Sequence, residues 1–343
     1  MTVKIYSGSS ATGTPVQTAT AVRSGASWDV DTSLPLAVGT YTARAEQSDV
    51  AGNIGFSSAN TFTVTNPGLP ATDPQLLVDG DIADCLSNGD EQTAALLANY
   101  PDGTVMTLGD NVYDSGTAAE FTNCYDPSWG QAKARTHPIS GNHDYETPNA
   151  SGYYNYFGSS TGDPTKGYYS YDFGSWHVIA LNSNCAFVGG CQTGSPQEQW
   201  LKSDLAAHPN SCTIAAWHHP RFSSGANGSY LMMQPIWQDL YDNGVDVVLN
   251  GHDHDYERFA PQTPTGNLDL SRGISEFVVG TGGKSQTPIL QGLPNSEVRN
   301  TGTFGILKLT LHQGSYDWEF VPVSGGTFQD FGSRSAIDRS DRG

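Results

Sequence analysis

Five short strings of metal-competent residues, each directly behind an apolar segment, constrain this chain more than any other feature. They are Gly80-Asp81-Ile82-Ala83, Gly109-Asp110-Asn111-Val112-Tyr113, Gly141-Asn142-His143-Asp144, Trp217-His218-His219-Pro220 and Gly251-His252-Asp253-His254. The segments before them read as short strands: 76–78 before Asp81, 105–108 before Asp110, 138–140 before Asn142, 213–217 up to His218 and 245–249 before His252. In a layered α/β fold, strand C-terminal ends line one rim and face the ligand crevice, so five such loops can converge. A glycine before Asp81, Asp110, Asn142 and His252 lets the backbone turn tightly beside a bound ion. Singly the strings are weak: a Gly-Asp after a strand is usually a turn, Tyr113 alone reads as a core or surface residue, and His218-His219 as a satisfied core pair. Five at successive strand exits make coincidence a poor account. Together they offer carboxylate, amide, phenol and imidazole donors, enough for two metal ions, and they point to phosphoester hydrolysis at a two-metal site.

The flanking pattern gives the organisation. Residues 75–330 read as a β-rich α/β domain, with helices over 91–99, 196–207 and 231–241 and a hairpin of 168–173 with 176–181 around Gly174-Ser175. Ser195 is the expected N-cap of the second helix, with Pro196 in its first turn. Further strands are expected at 274–279, 304–311 and 316–321. Residues 1–66 read as β only, with strands at 3–6, 18–22, 26–30, 40–45 and 61–64 separated by Gly-, Ser- and Asn-rich turns. Trp28, Tyr41 and Phe62 are its candidate core aromatics, and it carries no catalytic cluster. Residues 67–74, with Pro67, Gly68, Pro70 and Pro74, form the expected linker, and 331–343 a polar, loose tail.

The formal charge of −19 argues against a nucleic-acid-binding surface, whose affinity comes from basic patches, and against an anionic membrane. It does not exclude phosphate, because bound metals invert the local field. No run approaches the ~18 apolar residues of a membrane span. Met1-Thr2-Val3-Lys4 is not followed by an apolar signal region, so any export signal is expected to be missing from this sequence and Met1 to be an added start. The five cysteines contain no C-x-x-C, which argues against a zinc ribbon. Cys185 and Cys191 flank a short loop that a disulfide can close, Cys85 and Cys124 each follow a ligand-bearing segment and can pair, and Cys212 reads as a buried thiol. Disulfides in an exported protein are favoured over five reduced thiols in the cytosol.

Taken in order, Asp-x-(Gly/Ala), Gly-Asp-x-x-Tyr, Gly-Asn-His-(Asp/Glu), x-x-x-His and Gly-His-x-His, the strings resemble the metallophosphoesterase (calcineurin-like) superfamily over roughly residues 75–325. Tyr113, with Tyr256-Glu257-Arg258 after the last string, resembles its purple acid phosphatase branch. The stretch from Leu36 to Ala45, followed by Asp49-Val50-Ala51-Gly52-Asn53, resembles bacterial immunoglobulin-like repeats, here trimmed at the N-terminus. These resemblances imply a β-sandwich flanked by helices (αββα) behind a small all-β sandwich, in a secreted or cell-surface bacterial protein. They imply one ion held by Asp81, Asp110, Tyr113 and His254, and a second by Asp110, Asn142, His218 and His252, with Asp110 bridging. A phenol and carboxylates suit Fe(III); imidazoles, an amide and a carboxylate suit Zn(II), Fe(II) or Mn(II). His143 would protonate the leaving oxygen or clamp a phosphate oxygen. Asp144, as its orienter or a helix cap, together with His219 and Asn227, would support these groups from behind. One departure is that Asn227 and Gly228 stand where plant purple acid phosphatases carry a histidine pair, which shifts weight onto His143.

The expected partner is a small phosphorylated substrate, with phosphomonoester hydrolysis preferred over a phosphodiesterase acting on nucleotides or phospholipid head groups. A catalytically dead surface-binding protein is disfavoured because every metal-competent position is filled. The β domain is a spacer, a lid, or a module contacting cell wall or carbohydrate. Glu257 and Arg258 are expected to pair with each other, and Gly280-Thr281-Gly282-Gly283 to be a tight turn rather than a phosphate cradle. His137, His177, His208 and His312 receive no role.

Overall fold

Alternation along four-to-six-residue strands builds the larger unit. In Leu76-Leu77-Val78 the first and third side chains enter one apolar core and the second enters another, as the two-residue period of a strand requires. The computed structural model describes residues 1–20, 22–24, 27–29, 36, 39–64, 73–209, 212–289 and 291–337, and divides into two units, Met1–Thr72 and Asp73–Gly343.

The second unit holds two stacked sheets. One runs in the spatial order Thr136–His137, Thr104–Thr107, Gln75–Asp79, Gly305–His312, Ser315–Pro322, Phe331–Ser335. The other runs Tyr169–Phe173, Trp176–Ala180, Cys212–Ala216, Val247–Asn250, Ile274–Val279, Tyr256–Gln262, Ser296–Asn300. Their inner faces share Leu76, Val78, Met106, Val178, Ile214, Val247, Leu249, Phe277 and Leu309. On the outer face of the first sheet, Leu77 and Val105 pack with Leu97 of the helix Gly89–Leu97 and with Phe121, Trp129 and Phe157. On the outer face of the second, Ile179, Ala215, Val248 and Val278 pack with Leu201 and Leu205 of Pro196–Ala207 and with Ile236, Trp237 and Leu240 of Gln234–Asp242. The result is the αββα layering expected. Ser195 caps its helix by accepting from the Glu198 amide at 3.3 Å, with Pro196 in the first turn. The central strands pair in parallel, so their C-terminal ends open on one rim.

Several expectations need correction. Residues 138–140 are not a strand; the regular pairing ends at Thr136–His137, with one further backbone bond from the Ile139 amide to the Thr107 carbonyl at 3.1 Å. Phe331–Ser335, expected to be loose, is an edge strand paired antiparallel with Ser315–Pro322; residues 338–343 of the expected tail lie outside the described residues. Tyr256–Gln262 is an unforeseen strand, nearly continuous in burial and so without a polar–apolar alternation. Glu257 and Arg258, on opposite faces of it, do not pair: Glu257 accepts from the Ser224 amide at 2.8 Å and from Ser296 Oγ, while Arg258 Nε reaches Asp330 at 2.8 Å. Residues 280–283, the expected tight turn, are not in conflict with that reading and are also closely packed: a side chain at Gly89 would collide with Gly283, and Thr281 donates to the Gly305 carbonyl at 2.7 Å.

In the first unit a five-stranded sheet has Thr2–Ser7 between Gln17–Thr20 and Gly39–Ser48, with Ile54–Phe56 and Asn60–Val64 both on Gly39–Ser48; Val22–Ser24 and Ser27–Asp29 form a separate pair. Tyr41 and Phe62 stack with centroids 6.1 Å apart. The side chain of Trp28, and residues 67–72 of the expected linker, lie outside what is described. Disulfides join Cys85 to Cys124 and Cys185 to Cys191, and Cys212 is half-buried at the start of its strand. No described helix is long and apolar enough to cross a membrane.

Candidate metal centre

Each strand exit on the rim delivers one piece of the site. After Gln75–Asp79 the backbone turns at Asp81 with φ 58°, after Thr104–Thr107 at Asp110 with φ 46°, and after Val247–Asn250 at His252 with φ 73°. Three non-glycine residues in the left-handed region are costly, of order 1–3 kcal/mol each, and such positions cluster at functional sites. Space explains the glycines: a side chain at Gly141 would run into the Asp110 amide and carboxylate, and one at Gly109 would meet the His218 ring 2.5 Å away.

The donors form two overlapping groups. In the first, Tyr113 Oη lies 2.7 Å from Asp81 Oδ1, 3.1 Å from Asp110 Oδ2 and 3.2 Å from His254 Nε2. His254 Nδ1 is 3.0 Å from the Ser285 carbonyl, so Nδ1 carries the proton and Nε2 offers a lone pair. One phenolic proton thus faces three acceptors, an excess that a cation resolves. In the second, His218 Nε2 lies 3.3 Å from Asp110 Oδ2, 3.0 Å from Asn142 Oδ1 and 3.2 Å from His252 Nδ1. His218 donates from Nδ1 to the Leu108 carbonyl at 2.8 Å, which again leaves Nε2 as an acceptor among acceptors. Asp110 belongs to both groups. Asp110, His218 and His252 present ligand atoms all within 4.8 Å of one another. These donor sets fit two cations.

The electrostatics without cations state the same excess. Burial pushes the Tyr113 phenol well above its usual range, and Asp110 and Asp81 push it further. Burial opposes the ionised form of Asp110, but His218 and His143 outweigh it and hold the carboxyl below the ordinary carboxylate range. Burial lowers the His218 pKa, but Asp110 and Asp81 reverse this and raise it to about 9. Desolvation takes His252 down to about 3. A bound cation inverts this logic for the phenol and the imidazoles alike.

The supporting residues divide. His143 Nε2 stands 4.0 Å from Asp110 Oδ2, its amide donates to Asp110 Oδ1 at 2.8 Å, and its Nδ1 meets the Asp114 carbonyl at 2.6 Å. Asp144 does not orient it: its carboxylate accepts from the Gly141 amide at 2.8 Å and from Asn111 Nδ2 at 2.9 Å, tying the second string to the third. Nor does it cap the short helical turn His143–Glu146, whose cap position is Asn142. His219 Nδ1 is 2.8 Å from Ser183 Oγ, and its ring lies 4.3 Å from that of His252. Asn227 Nδ2 donates to the His252 carbonyl at 2.8 Å, bracing that loop. Lys284 was not foreseen: its Nζ lies 3.0 Å from Asp84, 3.3 Å from Asp114 and 4.5 Å from the Tyr113 ring centre. The carbonyls of Leu108, Asp114 and Ser285 leave no trace in a sequence; a lone lysine after a Gly-Gly in an acidic chain was the only signal for Lys284.

An αββα sandwich with this donor set on one rim is the architecture of a metallophosphoesterase. The chain belongs to the calcineurin-like phosphoesterase family, whose model matches residues 70–256. It is similar to purple acid phosphatase 15 of Arabidopsis thaliana, 27% identical over 269 residues, covering 67% of this chain and 49% of that protein. It is also similar to a nucleotide pyrophosphatase/phosphodiesterase of Hordeum vulgare, 24% identical over 340 residues, covering 84% of this chain and 90% of that protein. The solved purple acid phosphatase PPD1 of yellow lupin (Lupinus luteus) seeds superposes with a TM-score of 0.63 at 18% identity, covering 89% of this chain and 61% of that one. The chain spans 49% and 46% of the length of the two Arabidopsis purple acid phosphatases 15 and 23. Membership of this family implies two metal ions, as the two donor groups do.

Proposed function

We propose that this protein is an exported phosphomonoesterase of purple acid phosphatase type. The observation that carries the reading is Asp110, shared between a phenol–carboxylate–imidazole group and an amide–imidazole group. Asp81, Asp110, Tyr113 and His254 would hold Fe(III); Asp110, Asn142, His218 and His252 would hold Zn(II), Fe(II) or Mn(II). Such a pair supplies Lewis-acid polarisation of the phosphoryl group and an activated water. The chain's own residues do the rest. His143, fixed through Nδ1 by the Asp114 carbonyl, presents Nε2 beside Asp110, where it holds a proton for the leaving oxygen or hydrogen-bonds a phosphate oxygen. The Leu108 and Ser285 carbonyls hold the His218 and His254 rings in the ligating tautomer. The two disulfides support export, and the all-β first unit supports an immunoglobulin-like module.

Elemental analysis with a visible spectrum of the same sample tests the site. Two metals per chain including iron, with a tyrosinate band, is the expected result; two colourless metals would remove Fe(III) from Tyr113, and no metal after reconstitution would overturn the reading. A phosphodiesterase is the second reading, favoured by the extent of the Hordeum vulgare match. Comparing 4-nitrophenyl phosphate with bis(4-nitrophenyl) phosphate separates the two.

A further inference from the structure

The loop that leaves the strand Trp176–Ala180 has no part in metal binding, yet it exits on the same rim, because that strand runs parallel to Cys212–Ala216. It lies against the third and fourth strings. Asn184 Nδ2 donates to the Ser140 carbonyl at 3.3 Å, Asn182 Nδ2 to Tyr145 Oη at 2.8 Å, and Ser183 Oγ is 2.8 Å from His219 Nδ1. At its tip Phe187 is 57% exposed. One face of its ring is stacked on Tyr145, centroids 4.3 Å apart and planes 21° from parallel. Tyr145 is two residues beyond His143 in the same short helical turn.

A single exposed phenylalanine needs no explanation. This one is immobilised. The Cys185–Cys191 disulfide closes the loop, the Phe187 amide donates to the Asn184 carbonyl at 2.9 Å, and the Gly190 amide donates to the Cys185 carbonyl at 2.8 Å. A rigid ring with one face covered and the other open is pre-organised to bind another flat ring at little entropic cost.

We infer that Phe187, seated on Tyr145, is the stacking platform for a planar aromatic ring carried by the leaving alcohol, so that nucleoside monophosphates are better substrates than sugar phosphates. The inference rests on the phosphoesterase reading and adds the substrate class to it.

Adenosine 5′-monophosphate and ribose 5-phosphate release the same kind of primary alcohol, so their comparison isolates the base. The metal-loaded wild-type protein should show the lower KM for the nucleotide. Phe187→Ala should raise that KM about tenfold, the scale of one base–aromatic stack, and leave both parameters for ribose 5-phosphate unchanged; Phe187→Trp should keep the preference. Calorimetric binding of adenosine, which carries no phosphoester to hydrolyse, to the same proteins reads the stack without turnover. About tenfold weaker binding to Phe187→Ala upholds the inference even if neither ester is hydrolysed, a result that would overturn the phosphoesterase reading alone. Equal binding to wild type and Phe187→Ala, or equal KM values for the two esters in the wild type, overturns the inference.

Discussion

The backbone carbonyl of Asp114 lies 2.6 Å from Nδ1 of His143, and this contact, rather than the adjacent Asp144 carboxylate, orients the ring. A carbonyl can only accept, so Nδ1 carries a proton, and Nε2, which bears the second proton of the charged ring, is the atom presented beside Asp110. His143 meets the donor groups through its amide, at 4.0 Å through Nε2, and through its ring, whose centre lies 4.6 Å from that of Tyr113. His143→Ala is therefore expected to retain both metals while kcat falls about 100-fold or more, the range for loss of a general acid. Turnover assays beside elemental analysis check this; depletion of metal in the variant would make His143 a ligand.

Lys284 acts one step further out. Its Nζ joins Asp84, behind the first string, to Asp114, behind the second, so it holds the segment whose carbonyl fixes His143. Lys284→Met is expected to lower kcat about tenfold through a misplaced ring, a modest case of what small displacements cost, with metal content unchanged and Lys284→Arg restoring most of the loss. If Lys284→Met instead raised KM alone, the lysine would be binding substrate directly.

Asp110 and Gly141 test the shared carboxylate from two sides. Asp110→Ala removes the only residue common to both donor groups and should abolish activity and deplete metal. Gly141→Ala leaves every ligand in place but drives a methyl group into the Asp110 amide and carboxylate. It should weaken metal binding as well, visible as a lower thermal midpoint that excess metal partly restores. Stabilisation by mass action is about 2.7 kcal/mol at a metal concentration 100 times Kd. A Gly141→Ala protein that binds metal like the wild type would show that the loop yields without disturbing Asp110.

Much of this site is legible in the sequence because its parts are local. Four of the five ligand strings, all but Trp217-His218-His219-Pro220, carry their own glycine turn, and four, all but Gly141-Asn142-His143-Asp144, follow directly on a strand, so rim, order and convergence follow from spacing. What escaped has a different physical origin. The Asp114, Leu108 and Ser285 carbonyls are backbone groups that any residue would provide. Tyr256–Gln262 is buried on both faces and lacks alternation, and its Glu257 and Arg258 look like an ion pair only until strand geometry sends them to opposite sides. Phe331–Ser335 is exposed at every second position and polar from Ser333 onward, which reads as a tail until a partner strand is known.

His177, to which the sequence assigns no role, sets a pH dependence. Its Nδ1 is 2.9 Å from Asp172 Oδ1 and its Nε2 is 2.7 Å from Asp204 Oδ2. A neutral imidazole has one N–H, so only the protonated ring donates to both carboxylates. Burial works against that charge, but Asp204 and Asp172 outweigh it and raise the pKa above the ordinary value. The His208 ring stacks on it at 3.7 Å and directs its own Nδ1 to the Asp204 carbonyl at 2.8 Å. The contact ties the strands Tyr169–Phe173 and Trp176–Ala180 to the helix Pro196–Ala207. With a folded pKa above the unfolded one, the stabilisation is complete below about pH 6.5 and is lost as pH rises through the folded value. Urea midpoints of wild type and His177→Gln should therefore differ most near pH 6, and the gap should narrow toward pH 9. A gap that widened with pH would mean that the folded protein holds the ring neutral, with a pKa below that of the unfolded chain.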